Sequence, residues 1–284
     1  MNTTQYYKKL QLQIEKRDDL KLIVKTLKYK KGKFLFWKIK SAKISRQDKV
    51  MILCAGVHGE ETAGPLTFYH HLNKIVDFLH NHGLKVIIYP LRNPSGFETG
   101  LRYNIDNDAG DCGNNDLLRY QLAGGKIVDD LKDKNIFKQW FWSSAKKLKI
   151  NLPAETRLFH KLLKQDLKYH IVACLDLHQD AFTLPKKPAA YQYAFGNTKI
   201  YWPIIEKIEK IVPILKNKPI GAGLGSIMKS DNLGFIERFD GTFGDFMFRN
   251  GVLYNITVET TTATPIKKAI QVNLIWIREL ANLI

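Results

Sequence analysis

Short, mostly apolar runs alternate along this chain with longer stretches whose apolar residues recur three and four apart. The run 50–55 is continuous in apolar side chains, the pattern of a strand buried on both faces. It leads into Gly56-Val57-His58-Gly59 and then a helical pattern from about 61 to 80. A second such strand, 84–89, is closed by Pro90 and the turn Asn93-Pro94-Ser95-Gly96. The run 171–177 ends at His178, and the run 253–258 ends at Glu259. Upstream, 20–29 and 33–39 are β-rich and meet around Lys31-Gly32, which reads as a hairpin following an N-terminal helix. Helical patterns are expected at about 126–148, 154–168 and 197–212, with 241–250 helical or loop and 265–283 a closing amphipathic helix. Residues 96–125 are rich in Gly, Asn and Asp and read as a long loop, which inside a compact domain marks function or disorder.

Strands alternating with helices predict one α/β/α domain over residues 1–284: a mixed, mostly parallel central sheet with helices on both faces, and residues 1–48 packed onto it. No repeat, low-complexity tract or Pro/Gly/Ser linker divides the chain. In such sheets ligands bind where the loops diverge at the strand ends.

Composition narrows the class. With 284 residues, 45% hydrophobic and 25% charged, the chain can bury a core without disulfides or a structural metal. The three cysteines, Cys54, Cys112 and Cys174, cannot all pair with one another and none lies in a C-x-x-C. Cys54 and Cys174 fall in apolar runs, so reduced core thiols are expected, and a disulfide scaffold or thiolate zinc cluster is excluded. No stretch approaches the ~20 apolar residues that span a bilayer, and no apolar segment follows the basic N-terminus. A cytoplasmic protein with no membrane partner is expected.

The net charge of +17 suggests a polyanion partner. Yet 35 of the 44 basic residues are Lys, spread over the chain with denser clusters near 24–43 and 138–168. That distribution reads as a solvated surface, so nucleic acid is not the expected partner. A non-catalytic polyanion binder stays open as an alternative.

Polar residues stand at the ends of three apolar strands: His58 with Glu61, His178, and Glu259. His58 and Glu61 are three apart at a strand-to-helix turn, where side chains at i and i+3 share a face. Gly56 and Gly59 permit a tight backbone there. Two imidazoles and one carboxylate form a His₂Glu set that suits Zn²⁺ with a fourth position open to water. Glu259 would then be the general base. Glu60 is the rival ligand, but i+2 on a helical turn points away from His58. The competing reading for each residue is a hydrogen-bonded structural role.

Six segments add to this pattern. Ala55-Gly-Val-His58-Gly-Glu-Glu61-Thr-Ala-Gly resembles the first zinc motif of the metallocarboxypeptidase superfamily, which includes the succinylglutamate desuccinylase/aspartoacylase deacylases. Asn93-Pro94-Ser95-Gly96 resembles its Asn-Pro-Asp-Gly turn, Leu101-Arg102-Tyr103-Asn104 its Arg-x-Asn segment, and Asp116-Leu-Leu-Arg119 its Asp-Leu-Asn-Arg. Leu175-Asp-Leu-His178 and Asn255-Ile-Thr-Val-Glu259 resemble the strands that carry the last zinc ligand and the catalytic glutamate. The six run in family order from about residue 50 to 260.

The resemblance implies one zinc ion on His58, Glu61 and His178. It implies that Glu259 activates water and protonates the leaving nitrogen, and that Arg102 polarises the scissile carbonyl. By the same resemblance Arg119 pairs with a substrate carboxylate, and Asp116 accepts a hydrogen bond from the far ring nitrogen of His58. There are two departures. Leu118 stands where the family has Asn, and Phe248 stands where many of its peptidases carry a mobile substrate-binding tyrosine. Both remove a hydrogen-bonding group, which weakens discrimination for a free C-terminal carboxylate.

The function expected is a zinc-dependent hydrolase that cleaves an amide bond in a small peptide, in the manner of a carboxypeptidase or murein-peptide amidase. A deacylase acting on an acylated amino acid, with the same ligands, is the alternative.

Overall fold

Neighbouring residues of the strand Lys49–Ala55 look into different cores. Met51, Leu53 and Ala55 pack on one side, while Val50, Ile52 and Cys54 pack on the other. A strand alternates its side chains between two faces, so an uninterrupted apolar run requires a helical layer above and below. The structure is a computed structural model and describes residues 1–111, 113–131, 136–142, 150–183, 186–221 and 228–284.

The elements run α1 (Thr3–Ile14), β1 (Leu20–Tyr29), β2 (Gly32–Ser41), β3 (Lys49–Ala55), α2 (Ala63–Asn81), β4 (Lys85–Tyr89), α3 (Pro94–Thr99), β5 (Leu118–Leu122), β6 (Ile127–Val128) and β7 (Phe137–Trp142). They continue as α4 (Ala154–Asp166), β8 (His170–Asp180), β9 (Ala190–Ala194), α5 (Trp202–Glu209), β10 (Pro219–Ile220), β11 (Met228–Lys229), β12 (Phe235–Ile236), α6 (Phe243–Arg249), β13 (Tyr254–Thr261) and α7 (Ile266–Leu283). The central sheet has the order β1-β2-β4-β3-β8-β13-β9-β12. β4, β3, β8 and β13 are parallel, as are β9 and β12, while β1 with β2, β2 with β4, and β13 with β9 are antiparallel. This is the mixed sheet expected, with the hairpin β1–β2 built into its edge.

One core lies under α1, α2, α5 and α7 and includes Tyr6, Phe68, Leu72, Ile205 and Trp276, all buried. The other lies under α4 and α6 and includes Phe159, Leu163, Phe243 and Phe246. Burying each such side chain contributes roughly 1.5–3 kcal/mol. Because the four central strands are parallel, their C-terminal ends share one edge of the sheet. His58, His178 and Glu259 are delivered there.

Two expectations differ from the structure. The helix expected at 126–148 is, among the described residues, β6 and β7, which flank β5 in a small antiparallel sheet. Cross-strand pairing decides it: Tyr120 sits opposite Trp140, and Tyr120 meets Phe137 edge to face at 5.3 Å. Residues 132–135 and 143–149 of that stretch lie outside the described ones. Within the long loop expected at 96–125, the structure places the end of α3 and all of β5. Asn93 Oδ1 caps α3 by accepting from the Gly96 N–H at 2.9 Å, and the six residues are too few for a helical period to show. Cys54 and Cys174 are free and buried, as expected, and Cys112 lies outside the described residues. Among the described residues no helix is long and apolar enough to cross a membrane.

Candidate active site

His58 leaves the end of β3 on a turn that brings backbone against backbone. A Cβ on Gly59 would lie 2.0 Å from the carbonyl carbon of Gly96 and 2.3 Å from the Leu101 oxygen, so glycine is required at that position. The Gly59 N–H donates to the Arg102 carbonyl at 3.2 Å, which locks the His58 turn onto the segment carrying Arg102. His178 and Glu259 come from adjacent parallel strands whose register pairs Glu259 with His178 and Thr257 with Asp176.

The three proposed ligands converge. His58 Nδ1 lies 2.5 Å from Glu61 Oε1, and His178 Nδ1 lies 2.9 Å from Glu61 Oε2. One ligand atom from each of the three lies within 4.8 Å of the others, and all three residues are buried. His178 Nε2 is 3.1 Å from Asp176 Oδ2, which turns Nδ1 towards Glu61. Two imidazole nitrogens and a carboxylate gathered on one point fit a Zn²⁺ ion, whose nitrogen and oxygen ligands stand at about 2.0–2.2 Å. Glu60 is turned aside: its Oε1 accepts from Arg102 Nη1 at 3.1 Å.

Burial and charge pull these groups in opposite directions. Burial pushes the His58 imidazole down, against the pull of Glu61. Burial also acts to lower His178, but Asp176 and Glu61, one on each ring nitrogen, hold it well above its ordinary value. Glu61 is desolvated, yet the two imidazoles keep it below the usual carboxylate range. Glu259 moves upward, chiefly by burial; its Oε1 is 3.9 Å from His178 Nδ1, and its buried Oε2 has no hydrogen-bond partner among the described residues.

Arg102 stands beside this cluster, with Nη1 3.3 Å from Glu61 Oε1 and its guanidinium carbon 4.9 Å from the Phe182 ring centre. The other expected site residues meet different partners. Asp116 accepts from Arg119 Nη1 at 2.7 Å, while His58 Nε2 is buried and, among the described residues, has no hydrogen-bond partner. Arg119 itself is buried on β5 and is not among the residues lining the cavity over the site. Phe248 also stands off the cavity and stacks on Phe195, with ring centres 4.7 Å apart. Leu118 is fully buried in the core under α4 and α6. Asn104 is structural: its Nδ2 reaches both Glu155 carboxylate oxygens at 3.1 Å.

The cavity above the cluster has a volume of about 150 Å³. His58, Glu61, Arg102, His178 and Glu259 form one wall, and Tyr191, Tyr193, Arg238 and Asp240 line another part. Arg238 holds its neighbours loosely. Nε is 3.4 Å from Asp240, Nη2 is 3.5 Å from Asp130, and Nη1 donates to the Met228 thioether at 3.3 Å. Sequence reasoning missed Asp176, Arg92, both tyrosines and Arg238. Asp176 was within reach, since two residues before His178 on a strand means the same face. Tyr191 and Tyr193 alternate on a strand too short to stand out, and Arg238 has no local signal.

Residues 47–184 match the family of succinylglutamate desuccinylase/aspartoacylase catalytic domains. No curated protein matches the chain. Among solved structures, a proposed metallopeptidase from Shewanella baltica OS155 aligns over 99% of this chain and 91% of its own, at 19% identity and a TM-score of 0.70. A proposed metallopeptidase from Shewanella amazonensis SB2B aligns over 98% and 92%, at 20% identity and a TM-score of 0.71. A metallo-carboxypeptidase from Pseudomonas aeruginosa aligns over 98% of this chain and 68% of its own, at 13% identity and a TM-score of 0.56. The chain thus has the carboxypeptidase-like fold throughout. The resemblance to the metallocarboxypeptidase superfamily is borne out at the level of fold over the whole chain, and of family over residues 47–184.

Proposed function

We propose that this carboxypeptidase-like fold carries a zinc-dependent hydrolase acting on an amide bond, with the metal held by His58 Nδ1, Glu61 and His178 Nδ1. The observation that carries the reading is the convergence of those ligand atoms within 4.8 Å, with Glu259 Oε1 3.9 Å from His178 Nδ1. A bound Zn²⁺ would supply Lewis acidity, making water a nucleophile at neutral pH. Glu259 takes a proton from the attacking water on its carboxylate and returns it to the leaving nitrogen. Arg102, steadied by Glu60 and Glu61, donates to the carbonyl oxygen as negative charge develops there.

The first substrate class is a small peptide, and Arg238, in place of Arg119, receives its carboxylate. Its contacts at 3.3–3.5 Å are long or made to a weak sulfur acceptor, so its donors are available to a better one. The second reading is an N-acyl amino acid deacylase. It is favoured by the family match over residues 47–184 and by the burial of Leu118, since no side-chain donor at that position meets a C-terminal carboxylate.

Metal content of the purified protein, followed by hydrolysis of dipeptides and N-acyl amino acids in parallel, tests both readings. One zinc per chain with turnover of either panel supports the hydrolase. Stoichiometric zinc with no turnover of either panel defeats this substrate assignment.

A further inference from the structure

Arg92 lies outside every motif read from the sequence, yet it touches both segments that carry the proposed imidazole ligands. It follows β4, and its backbone N–H donates to the Ala55 carbonyl at 2.9 Å, while the next N–H, of Asn93, donates to Gly56 at 2.7 Å. Those two carbonyls open the turn that ends at His58. The Arg92 side chain runs the other way. Its Nη1 donates to Asp176 Oδ2 at 2.9 Å, the same oxygen that meets His178 Nε2 at 3.1 Å.

We infer that Arg92 is a positioning residue that sets the separation of the two imidazoles by clamping Asp176, and through it His178, to the turn that bears His58. This rests on the zinc reading above. The side chain is built for fixity. It is 2% exposed, and its guanidinium carbon stands 3.9 Å from the Phe159 ring centre and 5.8 Å from that of Phe243. Its Nε and Nη2 are buried without partners, so among the described residues its side-chain hydrogen bond goes to Asp176 alone. Leaving two buried donors unpaired is costly. A guanidinium kept in that position serves its hydrogen bond to Asp176. The rings it spaces have centres 5.2 Å apart. Groups that orient a metal-binding histidine from behind are worth about 10- to 100-fold in metal affinity.

The test compares wild type with Arg92→Met and Arg92→Lys by competition against a chromophoric chelator for Zn²⁺, and by the visible spectrum of the Co²⁺-loaded protein. Circular dichroism establishes that each variant is folded. Arg92→Met should raise the zinc dissociation constant about 10- to 100-fold and shift the cobalt bands. Arg92→Lys, which keeps the charge without the planar fork, should recover part of both. Zinc affinity and cobalt spectra equal to wild type in both folded variants would overturn the inference and leave Arg92 a packing residue. If Arg92→Met does not fold, the lysine variant decides: weaker zinc binding in a native fold supports the clamp, and wild-type binding overturns it. Failure of the wild type to bind zinc defeats the metal reading itself, a result that needs no variant.

Discussion

Glu259 and His178 are register partners on the adjacent parallel strands β13 and β8, with the Glu259 carboxylate 3.9 Å from His178 Nδ1. Backbone hydrogen bonds between the strands therefore fix the separation of proposed base and proposed ligand. A slip of one residue in either strand would send one of the two side chains to the opposite face.

Glu259→Gln tests the base. The amide has nearly the same shape, so fold and zinc content should be retained. Hydrolysis should fall by about 10²–10⁴-fold, the usual effect of a positioned acid/base group. A single-turnover assay on the zinc-loaded variant measures this, and activity near wild type would mean another group handles the proton.

His178→Ala tests the ligand set. It removes one of three ligands and leaves Asp176 and Glu61 facing a gap, so zinc should no longer survive dialysis. Elemental analysis after dialysis reads the outcome. Retained stoichiometric zinc would take His178 out of the set.

Arg238 and Arg119 should separate cleanly. Arg238→Ala should lower kcat/KM for anionic substrates roughly 10- to 150-fold, from about 1.5–3 kcal/mol for a charge-assisted contact, and leave an amidated analogue little changed. Arg119→Ala removes the partner of Asp116 and should instead cost about 2–3 kcal/mol of stability, with little change in substrate preference. Steady-state kinetics and denaturant unfolding on both variants check the pair. Equal losses on charged and neutral substrates in Arg238→Ala would count against a carboxylate contact.

Glu155 gives a pH signature. Burial pushes it up from 4.5 to about 6. Between those values the folded state holds the proton more tightly than the unfolded chain. Its contribution is therefore full below about pH 4.5 and is lost as pH rises through about 6. The change amounts to about 1–2 kcal/mol. Relative to Glu155→Gln, the wild type should lose that much between pH 4.5 and 7 in denaturant melts. Parallel curves for the two proteins would show that Glu155 titrates normally.

How far the sequence reaches depends on the kind of signal. The strand that delivers His58 is legible because burial on both faces forces an uninterrupted apolar run, and those that deliver His178 and Glu259 stay mostly apolar despite Asp176, Asn255 and Thr257. Glu61 is separable from Glu60 by its three-residue spacing from His58, although the helix α2 begins only at Ala63. The roles of Asp116 and Arg119 are not legible, because a buried carboxylate goes to whichever donor the fold brings nearest. Here that donor is three residues away on the same chain. β6 and β7 were hidden for a related reason: their partner, β5, is itself a short run inside a stretch of Gly, Asn and Asp. Arg238 and the two cavity tyrosines meet the site only through the order of β13, β9 and β12 in the sheet, which no local pattern encodes.

The close approach at Gly59 divides the cavity into two kinds of wall. The turn with His58 and the segment with Arg102 touch through backbone atoms, so neither can shift without the other. The proposed ligand His58 and the proposed carbonyl-binding Arg102 are thereby joined in one stiff unit that offers the same geometry to every substrate. Tyr191 and Tyr193 come from β9 and Arg238 from the segment after β12, away from that contact. Exchanging them can alter which molecule is held while the reacting centre stays in place. New substrate preferences on this scaffold should thus arise by changes on the second wall alone.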